Sequence, residues 1–140
     1  MAAAIPDEFL DLLCGKTCAA LTTVMPDGQP QTTVVWVDYD GTYVLVNTMR
    51  GFRKERNMRA NPKVTLLAFD VREPLRSLEV RGTVVEMTEV GALEHLDRLS
   101  ERYTGASPYF GACVPTELKA REVPVICKIL PTRVVTLDAR

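Results

Sequence analysis

Apolar and polar residues alternate along most of this chain with the period of a strand, and in three places with the period of a helix. Ile5, Phe9, Leu12 and Leu13 share one side of a short opening helix. Asp7, Glu8 and Asp11 lie near its start, where acids suit the helix dipole, and Gly15 ends it. Strands are predicted over Thr17 to Val24, Gln31 to Val37, Thr42 to Thr48, Lys63 to Asp70 and Ser77 to Met87, and then over Val123 to Leu137 with a break near Pro131. Pro26-Asp27-Gly28, Asp40-Gly41 and Pro74 are turn signals between them, and such tight connections imply antiparallel neighbours. In the second strand Gln31, Thr33, Val35 and Val37 share one face, while Thr32, Val34 and Trp36 share the other. Neither face is plainly solvent, so both are expected to be covered. Val64 to Phe69 is nearly all apolar and reads as buried on both faces. Short antiparallel strands with few helices suggest a small barrel, which removes exposed sheet edges.

The longest helix is predicted from Thr88, as N-cap, to Tyr103, with Val90, Leu93, Leu96, Leu99 and Tyr103 as its core stripe and Gly105 just past its end. His95 and Arg98 flank that stripe, which makes the histidine a helix-surface residue. Beyond it, Ala106 to Glu117 reads as a loop. With 140 residues and no linker or repeat, a single domain over residues 1–140 is expected, large enough to bury about 68–70% of its unfolded-chain surface.

Charge changes the picture at one place. Between Asn47 and Pro62 the chain carries Arg50, Arg53, Lys54, Arg56 and Arg59 against a single acid, Glu55. The order there is strand, glycine turn at Gly51, short helix, and closure at Asn61-Pro62. Cations in the first turn of a helix oppose its dipole by roughly 0.3–1 kcal/mol each, so Arg53 and Lys54 are badly placed unless an anion sits between them and the free N–H groups. A solvated basic surface helix is the plainer alternative. The formal net charge of −1 argues against a nucleic-acid partner, so the anion is expected to be small. The N-terminus lacks a cationic stretch ahead of an apolar one, and no run is long enough for a membrane span, which makes the cytoplasm the default location. Cys14, Cys18, Cys113 and Cys127 form no C-x-x-C pair and, with one histidine in the chain, read as buried thiols rather than metal ligands.

The segment GQPQTTVVWVDYDGTYVLVNTMRGFRKERNMRANP (Gly28 to Pro62) resembles the flavin- and deazaflavin-binding split β-barrel family related to pyridoxamine 5′-phosphate oxidase. It is most similar to the actinobacterial branch that uses coenzyme F-420. The resemblance continues through RSLEVRGTVVEMTE, LDRLSERYTG and ILPTRVV, and so covers nearly the whole chain. It implies a mainly β fold with α, a six- to seven-stranded antiparallel split β-barrel with flanking helices. It also implies a homodimer with cofactor sites near its seam, with Trp36 as an interface or core anchor.

By position, the resemblance puts Thr33 and Val35 against a tricyclic ring, Asn47 and Thr48 beside the ribityl and phosphate groups, and Arg53 with Lys54 on the phosphate. Arg56 either extends the anion site or ties the helix to the barrel, with Asn57 in the structural role, and Arg50, Arg56 or Arg59 would meet a longer anionic tail. Ser77 falls on a strand that approaches the flavin, often across a dimer interface. The pyridoxamine phosphate oxidases carry an arginine where this chain has Thr33 and end in a basic tail containing tryptophan. Here the one tryptophan is Trp36 and the sequence stops at Arg140, so vitamin B6 oxidation is not expected. The implied function is hydride transfer from reduced F-420 to a small organic substrate. The alternatives are an FMN oxidoreductase of the same family and a non-catalytic F-420 or flavin carrier; a tetrapyrrole role ranks low with His95 as its only axial ligand. Tyr103, Tyr109 and Lys119 are candidate proton donors, although the tyrosines more simply pack.

Overall fold

The computed structural model describes residues 2–139. Seven strands, β1 (Cys18–Val24), β2 (Pro30–Val35), β3 (Val37–Tyr39), β4 (Val44–Met49), β5 (Lys63–Phe69), β6 (Arg76–Thr88) and β7 (Pro124–Asp138), form one antiparallel sheet in the order β2-β1-β5-β6-β7-β4-β3. The sheet curls but its two edge strands do not pair, giving the split barrel. Among the described residues α1 (Asp11–Cys14), α2 (Arg53–Ala60) and α3 (Ala92–Thr104) flank it, and a short kinked helical turn at Tyr109–Ala112 interrupts the segment expected to be a loop.

Alternation decides which side of each strand is inside. Ala19 and Leu21 of β1, Val64, Leu66 and Ala68 of β5, Leu78 and Val80 of β6, and Val125, Cys127 and Ile129 of β7 all point into one core, which α1 enters with Leu12 and Leu13. Burying each of these leucines stabilises the fold by about 1.5–3 kcal/mol. Asp11 of α1 is tied to β6 by Arg76, whose guanidinium reaches both carboxylate oxygens at 2.7 and 2.9 Å.

Several sequence expectations are corrected. The apolar run in β5 is covered on one face only, since Leu67 and Thr65 turn outward; a run of apolar residues does not say which face is packed. The second predicted strand breaks at Trp36 into β2 and β3, which lie at opposite edges of the sheet. Its outer face is bare, with Val34 81% exposed. At Pro131 the chain does not break: β7 continues past it, and the register shifts by a bulge where Pro131, which has no N–H to donate, faces Gly82. A Cβ at Gly82 would lie 2.6 Å from the Leu130 carbonyl oxygen, so only glycine fits that crossing. Helix α3 begins at Ala92 behind Gly91 rather than at Thr88, whose hydroxyl instead accepts from the Val90 N–H; Gly105, at φ 76°, stops it where expected. Of the four cysteines Cys127 is buried and Cys18 half-buried, while Cys14 and Cys113 are exposed. Among the described residues no helix is long and apolar enough to cross a membrane.

Candidate functional site

The ends of β2 and β4, the start of α2 and one side of α3 leave an open cleft of about 250 Å³. Val34, Val35 and Trp36 form one wall; Asn47, Thr48 and Met49 form the opposite one. Phe52 and Lys54 stand at the α2 end, and Leu96 and Tyr109 close the far side. The aromatic side is rigid because Trp36 stacks on Tyr103 (centroids 5.3 Å apart) and meets Tyr109 edge-on at 6.0 Å. The Tyr103 hydroxyl accepts from the Val37 N–H at 3.2 Å, a packing role that occupies it.

The basic segment sorts into engaged and unengaged cations. Glu55, the third residue of α2, has a side chain with 0% exposure and reaches back to the Gly51 N–H at 2.7 Å, much as the acid of a capping box does. The same carboxylate takes Arg59 at 2.6 Å and Arg50 at 3.3 Å, and Arg50 also pairs with Glu89 at 3.0 Å. Burial alone would raise the Glu55 pKa, but hydrogen bonds from Arg59, Gly51 and Arg50 hold it below the ordinary carboxylate value. Arg50 and Arg59 are thus bound up in the turn itself. Lys54, in contrast, is half-buried on the cleft, where burial pushes its pKa down, and no ion pair to it is found among the described residues. Phe52, the N-cap of α2, has no side chain able to bond the free N–H groups beside Lys54.

A second polar group backs the β4 wall. His95, expected on the surface, is 1% exposed: its helix face turns toward the sheet edge, so the residue flanking the apolar stripe lies inside. Its Nε2 is 3.1 Å from Asp38 Oδ2 and its Nδ1 is 3.1 Å from the Asn47 amide nitrogen. Asn47 also donates to the Ala92 carbonyl at 2.9 Å, and Arg102 donates to Asp38 Oδ1 at 3.0 Å. Burial would raise the Asp38 pKa, yet hydrogen bonds from His95, the Tyr39 N–H and Arg102 bring it down to about 2. Among the described residues two buried side-chain polar atoms have no partner, Asn47 Oδ1 and Thr33 Oγ1, and each such orphan costs about 1–3 kcal/mol.

Of the site residues anticipated from the sequence, the structure brings Val35, Asn47, Thr48 and Lys54 together on the cleft. Thr33 lies two residues before Val35 on the same strand face but does not line it. Arg53 and Arg56 border a separate hollow with Met25 and Asn61 on the other side of α2, and Arg53 reaches Asn57 at 3.4 Å. Asn57 itself is buried and donates to Thr23 at 3.0 Å, fastening α2 to β1. Ser77 sits where β6 pairs with Phe69 and Leu137, away from this cleft. Lys119 is exposed in a 3₁₀ turn (Thr116–Ala120) outside the cleft. Sequence reasoning missed Met49, Phe52 and Leu96 as lining residues, overlooked Asp38, and placed His95 on the helix surface rather than behind the cleft wall. The one available signal was the spacing of His95, Leu99 and Arg102, which share a helix face.

A family model described as pyridoxamine 5′-phosphate oxidase matches residues 5–127 of this chain. Among solved structures, one described as an F420 reductase is 31% identical and superposes with a TM-score of 0.79 over 94% of this chain and 98% of its own. The conserved hypothetical protein Rv2991 from Mycobacterium tuberculosis is 29% identical, with a TM-score of 0.72 over 99% of this chain and 88% of that one. A putative pyridoxamine 5′-phosphate oxidase from Listeria innocua shares the fold at 21% identity and a TM-score of 0.68, over 95% of this chain and 98% of its own. A comparison with curated proteins finds no match.

Proposed function

The chain belongs to the pyridoxamine 5′-phosphate oxidase family, and from that premise we propose that it is an oxidoreductase whose cleft holds coenzyme F-420 and passes a hydride from the reduced cofactor to a small organic substrate. The observation that carries this reading is Lys54: a half-buried ammonium with no ion pair among the described residues, next to uncapped helix N–H groups, on the rim of a cleft with an aromatic side. The residues present fit such a group. Lys54 and the N–H groups of α2 take the phosphate; Asn47 and Thr48 offer polar atoms to the hydroxylated chain; Val35, Met49 and Leu96 keep the ring side dry. When bound, a deazaflavin supplies two-electron hydride chemistry, because carbon replaces the flavin N5. Arg53 and Arg56, which are not consumed by Glu55, are the cations left for a longer anionic tail. FMN is the second reading, since its ribityl phosphate meets the same lysine; the 31% identity to an F420 reductase favours the deazaflavin.

The active unit we propose is a homodimer. A cleft of about 250 Å³ is smaller than the ~300–1,000 Å³ typical of small-molecule pockets. Val34, Phe52 and the outer face of β2 at its rim are bare in one copy, and Ser77 would join a site only from a neighbouring copy. Light scattering at micromolar concentration should give a dimer; a monomer contradicts this arrangement. Titration with F-420 and with FMN, followed separately by fluorescence, tests the cofactor. F-420 is expected to bind more tightly, and micromolar FMN binding with no F-420 binding rejects the assignment. Turnover of enones or quinones by the loaded protein separates a reductase from a carrier.

A further inference from the structure

The lone histidine is held in a way that fixes the orientation of the Asn47 amide. A backbone carbonyl can only accept, so the Asn47 group 2.9 Å from the Ala92 oxygen is its NH₂. The same nitrogen faces His95 Nδ1 at 3.1 Å, which leaves Nδ1 as a lone pair and puts the ring proton on Nε2, aimed at Asp38 Oδ2. The other Asp38 oxygen is saturated by the Tyr39 N–H at 2.9 Å and by Arg102 at 3.0 Å. Along this path from Arg102 to Asn47, Asn47 Oδ1 is the buried side-chain polar atom left without a partner among the described residues, and Asn47 lines the cleft.

We propose that His95, oriented by Asp38 and Arg102, is a positioning residue that fixes the Asn47 amide so that Oδ1 is reserved as an acceptor for an N–H or O–H donor of the ligand in the cleft. The ligand half of this inference rests on the cofactor reading above; the protein half does not. Arg102 and His95 lie on α3, Asp38 on β3 and Asn47 on β4, so the path also locks the cleft wall to the helix behind it. Partners of this kind behind a binding residue set its orientation and tautomer, as they do behind metal-bound histidines.

Because the chain has one histidine, two-bond ¹H–¹⁵N spectra of ¹⁵N-histidine-labelled apo protein report His95 alone. The expected signature at neutral pH is a neutral ring protonated on Nε2; a ring protonated on Nδ1, or doubly protonated, overturns the proposal. Asp38→Asn is the decisive variant. Tyr39 N–H and Arg102 require oxygen at the Oδ1 position, so the new NH₂ must face Nε2, driving the ring proton to Nδ1 and the Asn47 amide out of place. The tautomer should reverse, and F-420 or FMN should bind roughly tenfold more weakly, the effect of one hydrogen bond. On an Asn47→Ala background Asp38→Asn should change affinity no further, since its effect passes through Asn47. An unchanged tautomer, or fully additive affinity losses, overturns the proposal. If the wild type binds neither cofactor, the functional reading fails while the apo spectra still decide the tautomer relay, and the ligand half falls with the functional reading. Should Asp38→Asn not fold, Asn47→Asp replaces it: a carboxylate against Nδ1 should draw a second proton onto the ring, and a ring still protonated on Nε2 alone overturns the inference.

Discussion

Two charged clusters flank the cleft, and they are built in opposite ways. In the turn leading into α2 the charges are neighbours in sequence, Arg50 to Arg59, and most of their electrostatics closes on itself around Glu55. Behind the β4 wall the participants, Asp38, Asn47, His95 and Arg102, are far apart in sequence and meet only through the fold. The first cluster is conspicuous in the chain yet supplies one unpartnered cation to the cleft. The second is inconspicuous yet determines the hydrogen-bonding character of a cleft wall. Density of charge along a chain therefore measures local pairing as much as it measures a binding site.

The largest effect expected from this contrast is at Glu55. Glu55→Ala leaves the Gly51 N–H and two guanidinium groups without their buried acceptor. Because Arg50 and Arg59 are themselves 31% and 57% exposed, no buried charge is stranded, and chemical denaturation should show a loss of about 1.5–3 kcal/mol, the range for hydrogen bonds to a charged group. A loss below about 1 kcal/mol would mean that the turn is not organised by this carboxylate.

Lys54 should behave in the reverse sense. Charge-assisted hydrogen bonds are worth about 1.5–3 kcal/mol, so Lys54→Ala should weaken F-420 binding by roughly ten- to a hundredfold while the apo protein loses no stability, a cation having been removed from a helix start. Unchanged affinity with a destabilised apo protein would place Lys54 with the self-contained part of the cluster.

Acid should dissect the second cluster. The Asp38 pKa is depressed from 3.8 to about 2 in the folded protein, so its contribution to stability is fully present above the unfolded value and is lost as pH falls through the folded one. The loss is about 2 kcal/mol between roughly pH 4 and pH 2. Comparing the pH dependence of unfolding in wild type and Asp38→Asn isolates that share, and identical profiles would show that Asp38 is not held by its donors. The smallest measurable effect belongs to Arg56, exposed on the far side of α2. Arg56→Ala should lower F-420 affinity less than tenfold, reduce its dependence on salt and leave FMN binding unchanged. Arg72→Ala, in the exposed loop before β6, should move neither affinity nor stability by more than about 0.5 kcal/mol.

Much of the fold was legible in the chain. The succession of strands along the chain, the stop at Gly105, the apolar face carrying Leu12 and Leu13 and the strand, glycine and short helix around Gly51 all follow from periodicity and turn chemistry. The break at Trp36 was not legible, because Gln31 to Val37 keeps an unbroken alternation through the point where the chain passes from one sheet edge to the other. Glu55 could have been read as the acceptor of Arg59 from its i,i+4 spacing, but its bond to Gly51 and its pair with Arg50 depend on the turn closing over it. His95 next to an apolar stripe is ambiguous in one dimension. A rotation of the helix by a fraction of a turn separates a solvated ring from one buried against Asp38.

The sequence by itself therefore determined most of the elements, their succession along the chain and the place where cations gather, since these depend on neighbours within a few residues whose preferences add locally. Which of those cations stay free, and which scattered polar residues meet behind the cleft, only the tertiary structure decided. Partners for buried charge are chosen by proximity in space, and the penalty for leaving a buried group unmet is felt only once the strands and helices have closed around it.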